Sequence, residues 1–222
     1  MTTAMTTQTV TRPVSQATPK SPATEEGIAP LSLKFEPAIT MTDEQFEQFC
    51  AQNDVLRIER NCEGVIEIMP PASSETGATE SEIVIDLGVW ARADSRGILF
   101  GSSAGFTLPN GAVRSPDASW VLKSRLAALT PEQKRGFTQI CPDFVVELRS
   151  PSDRLSVLQA KMEEYMANGA RLGWLLDPST RQAHIYRPGE PPEIIDNLAS
   201  LSADPELPGF ALDLQPIWEP AF

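Results

Sequence analysis

The segment Asp143-Phe144-Val145-Val146-Glu147-Leu148 carries the clearest strand signal in the chain. Its apolar residues are mostly aromatic or β-branched and follow one another almost without interruption, as in a strand buried on both faces. From about Asp153 to Asn168 the apolar residues take helical spacing, and Gly169 ends the helix. Gly173-Trp174-Leu175-Leu176-Asp177 then predicts a second buried strand. The segment therefore begins a strand, helix and strand unit, which is typical of a helix packed beside a sheet.

Upstream of this unit the sequence predicts a short helix, a hairpin and a long helix. Thr42-Asp43-Glu44-Gln45 has the spacing of a capping box, with Thr42 as the N-cap. Residues 55–60 and 64–69 alternate apolar and polar side chains, as the paired strands of a hairpin do. Residues 75–94 return to helical spacing.

Short strands and one insertion fill the rest of the chain. Residues 123–137 are interpreted as an insertion, in which Thr130-Pro131-Glu132-Gln133 starts a short helix. The further strands are predicted at 97–101, 105–108, 112–121, 182–187 and 210–214. Because strands and helices do not alternate regularly, we expect an α/β (α+β) fold with a mixed sheet flanked by helices, not a doubly wound sheet.

Composition limits the function classes. The chain has 222 residues, with 30 acidic and 18 basic side chains and a formal net charge of −12. A protein that coats nucleic acid needs clustered Lys and Arg, so this charge excludes that class. A bound metal ion can still supply local positive charge, so an enzyme that acts on nucleic acid stays open.

The N-terminal part differs in composition from the rest. Residues 1–28 are rich in Thr, Ser and Pro, which predicts a disordered tail followed by a single domain at 29–222. No apolar run reaches the roughly 20 residues that cross a bilayer, and the N-terminus lacks the layout of a secretory signal. The three cysteines are widely spaced, without the pattern of a disulfide framework or a metal site. We therefore expect a cytoplasmic protein that does not enter a membrane.

Two acidic residues are candidates for a functional site because of the residues around them. Glu147 lies among the apolar residues of the buried strand, and Asp117 follows Pro116 at a predicted strand start. If their strands are adjacent, the two carboxylates repel each other, and a divalent cation with oxygen ligands relieves that repulsion. The alternatives are a turn-capping role for Asp117, and an outward position or a buried ion pair for Glu147.

Two helix residues complete the set of candidates. Lys161 lies at the edge of an apolar stripe on the helix 153–168, from which its ammonium reaches either solvent or the carboxylates. In the second case it would stabilise negative charge on a phosphate in a transition state. Glu80 lies on the same side of the helix 75–94 as Ile83 and Leu87, so it either faces the sheet or complements the helix dipole.

Several common active-site patterns are missing from the sequence. It contains neither GxxxxGK[ST] nor GxGxxG for phosphate binding, and no GxSxG nucleophile motif. His184 is the single histidine, and its alternation with Ala183 and Ile185 predicts an outward-facing position. A Ser-His-Asp hydrolase or a histidine-rich zinc site is therefore disfavoured.

Taken in order, these segments resemble the Uma-two family of endonucleases, within the restriction-endonuclease-like PD-(D/E)xK superfamily. The resemblance runs from about Met41 to Gly189. It rests on the short motifs Ile58-Glu59-Arg60, Gly64-Val65-Ile66, Met69-Pro70-Pro71, Ser115-Pro116-Asp117, 142–147, 150–153, 161–165, Asn168-Gly169 and 174–178. The later motifs are specific together, in this order and spacing.

The resemblance implies a restriction-endonuclease-like core with a carboxylate cluster at the sheet edge, and metal-assisted hydrolysis of DNA phosphodiester bonds. It implies that Asp117 and Glu147 hold Mg²⁺ or Mn²⁺, and that Glu80 is a further metal ligand. The superfamily lysine stands two residues after the second acid, where this chain has Arg149. Lys161 matches a lysine in the following helix that replaces it. Asp117, Glu147 and Lys161 are thus the predicted catalytic residues.

Two other functions stay open on the sequence. Arg149 and the net charge of −12 favour a catalytically weak or inactive binding or regulatory module on the same fold. An enzyme that acts on a smaller phosphodiester is the third possibility, because the acidic surface would hinder it less. We also expect a homodimer, since the exposed sheet edges of such folds often pair.

Overall fold

The computed structural model describes residues 30–35 and 39–221. The strands are β1 (Leu31–Leu33), β2 (Arg57–Arg60), β3 (Ile66–Met69), β4 (Gly97–Gly101), β5 (Phe106–Thr107), β6 (Val113–Arg114), β7 (Ala118–Leu122), β8 (Phe144–Leu148), β9 (Leu172–Asp177), β10 (Gln182–Tyr186), β11 (Glu193–Asp196), β12 (Ser200–Ser202) and β13 (Ala211–Asp213). The helices are α1 (Asp43–Gln52), α2 (Ser74–Asp94), α3 (Lys123–Ala127), α4 (Leu155–Ala167) and α5 (Gln215–Trp218). The predicted tail, residues 1–28, lies outside the described residues. Within the described ranges, no helix combines the length and the apolarity that crossing a bilayer requires.

Six strands form the central sheet, in the order β11-β10-β9-β8-β7-β4. The pair β8 and β9 is parallel and is joined by α4, whereas the other pairs in this sheet are antiparallel. The strand, helix and strand unit predicted over 143–177 is therefore confirmed. The mixed sheet flanked by helices is confirmed as well, so the chain has the expected α/β (α+β) fold.

A second, five-stranded sheet has the order β1-β3-β2-β6-β5 and is antiparallel. Its centre is the predicted hairpin, β2 and β3. The prediction of one strand over 112–121 was wrong, because β6 belongs to this sheet and β7 to the central sheet. Pro116 lies between them, and its missing N–H interrupts a continuous ladder. The chain thus passes from one sheet to the other just before Asp117.

The central sheet is covered on both faces. Phe144, Val146 and Leu148 of β8 pack in the core that contains residues of α2, whereas Val145 packs in the core that contains residues of α4. Successive side chains of a strand point to opposite faces. Glu147 therefore lies on the α4 face, at the end of an otherwise apolar row.

Helix α4 lies close against β9. A Cβ atom on Gly173 would stand 2.4 Å from the terminal methyl of Met162, so glycine permits this close approach. The helix ends just before Gly169, whose φ of +104° is a conformation that favours glycine. This packing sets the height of α4 above the sheet and, with it, the position of Lys161.

Two local predictions were wrong. Thr130 and Gln133 form the two hydrogen bonds of a capping box, but the chain makes only a turn there, because a single helical turn is not stable by itself. The helix of this segment is α3 instead. His184 is 1% exposed rather than outward-facing, since β10 lies between β9 and β11 and its side chains are covered on both faces.

Candidate active site

The four predicted site residues, Asp117, Glu147, Lys161 and Glu80, all line one cavity of about 490 Å³. The cavity lies where the two sheets come together, with α2 and α4 as further walls. Further charged residues, which the sequence did not predict as site residues, also line it, among them Arg57, Glu59, Glu67, Arg114 and Glu164. In total, eight acidic and four basic side chains line the described part of this cavity.

Asp117 stands immediately before β7, and Glu147 lies on the neighbouring strand β8. Ala118 pairs with Val146 between the antiparallel strands β7 and β8, so the next register step places Asp117 opposite Glu147. The backbone N–H of Leu148 donates a hydrogen bond of 2.8 Å to Asp117 Oδ2. Asp117 is 4% exposed and Glu147 is 2% exposed. The expected adjacency of the two acids is therefore present, and both side chains are removed from bulk water.

Glu147 is held on one oxygen by two groups. Its Oε1 lies 2.9 Å from Lys161 Nζ and accepts a hydrogen bond of 3.0 Å from the Tyr165 hydroxyl. Burial raises the pKa of Glu147 to about 7; the positive charge of Lys161 opposes this rise, and the negative charge of Asp117 adds to it. This carboxyl group therefore changes charge near neutral pH, where an exposed glutamate is fully ionised.

Lys161 projects from α4 toward the carboxylates and not into solvent. Its side chain is 11% exposed, and Nζ lies 2.9 Å from Glu147 Oε1 and 2.9 Å from Glu59 Oε1. Burial lowers the pKa of Lys161, but the negative charges of Glu147 and Glu59 outweigh burial and raise it. The ammonium is thus a fixed positive charge that joins a residue of β2 to a residue of β8.

Glu59 was missed as a site residue. It lies directly opposite Glu67 in the ladder of β2 and β3, which makes a pair of like charges. Arg114 compensates them, since its Nη1 donates to Glu59 Oε2 at 3.1 Å and also to Glu67. The Nε of Arg114 donates to Glu164 at 2.6 Å. Burial opposes ionisation of Glu59, but the charges of Lys161 and Arg114 outweigh it and lower the pKa of this carboxyl.

Strand alternation explains why Glu59 was overlooked. Alternation with Ile58 assigns Glu59 to the outer face of the hairpin, yet Ile58 is 7% exposed and Glu59 is 2% exposed, so β2 is buried on both faces. The available signal was the position of Glu59 across the hairpin from Glu67. Two carboxylates that face each other repel, so a cation beside them is needed to stabilise the pair. A cation buried in this way is a reason to look for a functional site.

Arg57 was missed for the same reason. Its Nη2 donates hydrogen bonds of 2.8 Å to Asp117 Oδ1 and 2.8 Å to the Ser115 carbonyl. Both carboxylate oxygens of Asp117 therefore accept a hydrogen bond, one from Arg57 and the other from the backbone at Leu148.

Glu80 is partly buried and lines the cavity from α2, whereas Glu82 is exposed, as the helical spacing predicts. Burial raises the pKa of Glu80 to about 7, and the negative charge of Asp117 adds to the rise. Glu80 therefore lies close enough to Asp117 for the two carboxylates to repel each other.

Arg149, which stands where the superfamily has its lysine, does not line the cavity. Its Nη1 donates at 2.7 Å to Asp177, which is fully buried. The guanidinium is thus held by a carboxylate at the end of β9. The ammonium that faces Glu147 comes from α4 instead.

No three acidic, histidine or cysteine side chains in 30–35 and 39–221 are already gathered as ligands around one point. Asp117, Glu147 and Glu80 nevertheless line one cavity, and carboxylate oxygens are the ligands that Mg²⁺ and Mn²⁺ prefer. Burial and the negative charge of Asp117 raise the pKa of both Glu147 and Glu80, and a cation would relieve the repulsion from Asp117. The chemistry of the donor set fits a divalent metal, with side-chain movement needed to gather the oxygens.

The profile of the Uma2 family, described as "Putative restriction endonuclease", matches residues 43–215. The fold is similar to a crystal structure described as "a putative nuclease belonging to DUF820" from Anabaena variabilis, with a TM-score of 0.62 and 22% sequence identity. That similarity covers 72% of this chain and 89% of the other, and at this identity it shows the fold alone. No curated protein matches the chain. Because the family profile spans most of the sequence, as the resemblance predicts, the chain belongs to the Uma2 family.

Proposed function

We propose that this protein is a divalent-metal-dependent endonuclease that hydrolyses phosphodiester bonds of DNA. The observation that carries the proposal is the position of Asp117, just before β7, opposite Glu147 of the adjacent strand β8, with Lys161 Nζ 2.9 Å from Glu147. Two acids and one ammonium in a single cavity are groups that can bind a metal and stabilise a phosphate transition state. Membership of the Uma2 family supports the same reaction.

Asp117, Glu147 and Glu80 would hold Mg²⁺ or Mn²⁺ in this cavity. When bound, such an ion supplies Lewis-acid activation of the phosphate and of an attacking water. The eight acidic and four basic lining side chains otherwise give the cavity a negative balance that repels a phosphate. Metal dependence is therefore part of the proposal.

The chain's own residues position the acid and supply the positive charge. Lys161 and Tyr165 fix Glu147 through Oε1. Lys161 stays protonated because Glu147 and Glu59 hold it on two sides. Its ammonium can therefore donate a hydrogen bond to a phosphate oxygen on which negative charge develops in the transition state.

The experiment that tests the proposal is calorimetric titration of Mn²⁺ into the wild type and into the Asp117→Asn, Glu147→Gln double variant. We expect saturable binding in the wild type and none in the variant, together with metal-dependent cleavage of a DNA duplex by the wild type alone. The same titration is repeated with an oligonucleotide present, because a substrate phosphate can complete a weak metal site. Absence of Mn²⁺ binding under both conditions in folded wild type would overturn the proposal.

A second candidate function is a binding or regulatory module on this fold with little or no catalysis. It is favoured by the absence of a preformed ligand cluster in the described residues, since an active metal site is commonly built in advance. Cleavage assays separate the candidates. Metal binding without cleavage of DNA or of a small phosphodiester such as bis(4-nitrophenyl) phosphate would favour the module. Cleavage of the small ester alone would favour an enzyme for smaller phosphodiesters.

We also propose that the protein is a homodimer, with α2 as the contact. Ile85 and Val89 are 55% and 67% exposed, and they lie on one stripe with the exposed Glu82 and Arg92. An antiparallel, two-fold pairing of this stripe places Glu82 of each copy beside Arg92 of the other. Light scattering tests the pairing: Glu82→Lys and Arg92→Glu should each give a monomer, and the double variant should restore the dimer. A monomeric wild type would contradict it.

The cytoplasm is the compartment that we propose for this protein. Cys50, Cys62 and Cys141 are free thiols, and free thiols are typical of reducing compartments. Fractionation of the source cells, with activity or antibody as the readout, would test this location.

A further inference from the structure

Arg57 is the cation at Asp117, and it uses only part of its hydrogen-bonding capacity. Its Nη2 donates at 2.8 Å to Asp117 Oδ1 and at 2.8 Å to the Ser115 carbonyl. Its Nε is buried and has no partner among the described residues. The side chain is nevertheless 31% exposed and lines the cavity. A planar guanidinium with unused donors at a cavity wall is a group that can accept an anion there.

Two other cations of this cavity differ from Arg57 in this respect. Arg114 is held by three carboxylates, those of Glu59, Glu67 and Glu164. Lys161 is held by two, those of Glu59 and Glu147. Arg57 has one carboxylate partner, Asp117. Glu147 and Glu59 also stabilise the charge of Arg57 from a longer range, but its guanidinium has the fewest direct ion pairs to break of the three. It can leave Asp117 when another cation compensates that carboxylate.

We propose that Arg57 is a counter-ion that exchanges partners: it compensates Asp117 in the metal-free protein and binds a non-bridging oxygen of a phosphodiester when a metal cation takes its place at Asp117. This inference rests on the proposed function, because it needs a metal at Asp117. Its basis is the geometry described above, in which Arg57 occupies the carboxylate oxygen that a metal would use. Guanidinium binds phosphate through paired N–H groups, and the Nε, which is buried and unpaired beside Asp117, becomes one of them when the side chain turns toward the phosphate.

Arg57 then acts on metal and phosphate binding in opposite directions. As a positive charge on Asp117 it competes with the metal, so its removal tightens metal binding. As a ligand of the phosphate it adds to the coupling between the two binding events, so its removal reduces that coupling. A residue with a purely structural role at Asp117 would weaken metal binding when removed, since Asp117 would lose its position.

The experiment is calorimetric titration of Mn²⁺ in the absence and presence of dimethyl phosphate, a soluble phosphodiester anion, with three variants. In the wild type, we expect dimethyl phosphate to tighten Mn²⁺ binding. In Arg57→Gln, Mn²⁺ alone should bind about fivefold more tightly, on the order of one screened unit charge near the site. Dimethyl phosphate should then tighten Mn²⁺ binding less than it does in the wild type, because only the direct contact between the metal and the phosphate is left. Arg57→Lys should behave between these two, since it keeps the charge without the planar donor pair.

Arg181→Gln is the matched control, because it removes the same charge from a surface ion pair with Glu219. It should leave both titrations at wild-type values, and circular dichroism checks that each variant is folded. Weaker or unchanged Mn²⁺ binding in folded Arg57→Gln would overturn the inference while leaving the proposed function in place. No Mn²⁺ binding in the wild type under either condition would overturn the proposed function and the inference together.

Discussion

Lys161 contacts two buried glutamates that belong to two regions of opposite electrostatic character. On the side of the antiparallel sheet, Glu59 is surrounded by cations, and its pKa is lowered although burial alone would raise it. On the side of the central sheet, burial raises the pKa of Glu147 to about 7, because Lys161 does not outweigh burial and the charge of Asp117. The two carboxyl groups have the same chemistry and the same ammonium neighbour, so their surroundings alone make the difference.

The difference assigns distinct roles to the two regions. The Glu59 region is closed, since Arg114 and Lys161 satisfy its carboxylates within the chain. The Asp117 and Glu147 region has an excess of acid that the chain does not fully compensate. A region of the first kind fixes geometry, and a region of the second kind has a reason to bind a cation. Substitutions in the two regions should therefore affect stability, cleavage and metal binding differently.

Arg114→Met should destabilise the fold more than any other single change in this site. It leaves Glu59, Glu67 and Glu164 buried or half-buried without their shared cation, and breaking such a pair costs about 3–5 kcal/mol. Urea denaturation at neutral pH measures the loss. The surface variant Arg181→Met should lose less than about 1 kcal/mol in the same assay. Equal losses in the two variants would contradict a structural role for the Glu59 region.

Lys161→Met should reduce DNA cleavage about 100- to 1,000-fold, the usual effect of removing one donor to a developing oxyanion. It should also weaken folding, because Glu59 and Glu147 both lose their common partner. Single-turnover cleavage with excess enzyme measures the first effect and separates it from the folded fraction, which is measured in parallel. Full cleavage activity in this variant would refute the assigned role of Lys161.

Glu147 and Glu59 should make the free energy of unfolding depend on pH in opposite directions. The ordinary pKa of 4.5 rises to about 7 at Glu147, so between these values the folded protein keeps a proton that the unfolded chain has released. Stability therefore falls as the pH rises through this window. Glu59 has a lowered pKa, so its favourable contribution is present above pH 4.5 and is lost as the pH falls further.

Denaturation midpoints in EDTA between about pH 4.5 and pH 7 measure this dependence. Glu147→Gln should reduce the fall in stability across that range and leave the part that Glu80 contributes, because the pKa of Glu80 is also raised to about 7. Glu59→Gln should leave the whole fall in place. The opposite assignment, with the fall removed in Glu59→Gln, would invert the comparison between the two regions.

Tyr165→Phe should have the smallest effect. The hydroxyl donates one buried hydrogen bond of 3.0 Å to Glu147, and such a bond contributes about 1 kcal/mol. Its loss should also move the pH at which Mn²⁺ binding develops upward, since the ionised form of Glu147 loses a donor. Calorimetry across a pH series measures that midpoint, and an unchanged midpoint would show that Tyr165 only fills space.

The sequence predicts the central unit of the fold well, because its signals are local. The apolar run 143–148, the helical spacing after it and the second strand each appear in the expected place. The adjacency of Asp117 and Glu147 was also predictable, since each acid lies in or next to a strand of the same sheet. Lys161 required the family resemblance, because its helical position alone leaves solvent as an alternative.

The remaining features depend on contacts between distant segments. Alternating apolar and polar residues in β2 predict one buried face and one exposed face. The second face of β2 is also buried, so Glu59 and Arg57 were not predicted as site residues. The division of 112–121 between two sheets depends on which ladders form on either side of Pro116. His184 is buried because β11 pairs with β10 and the cores on the two faces of the central sheet cover it. The sequence of one strand does not predict these contacts.

The most direct test of the two-region account is calorimetric titration of Mn²⁺ into Glu59→Gln and Glu147→Gln under identical conditions. These variants remove one charge each from carboxylates that both lie 2.9 Å from Lys161 Nζ. We expect that Glu147→Gln loses Mn²⁺ binding and that folded Glu59→Gln retains it. Retained binding in Glu147→Gln together with lost binding in Glu59→Gln would contradict it.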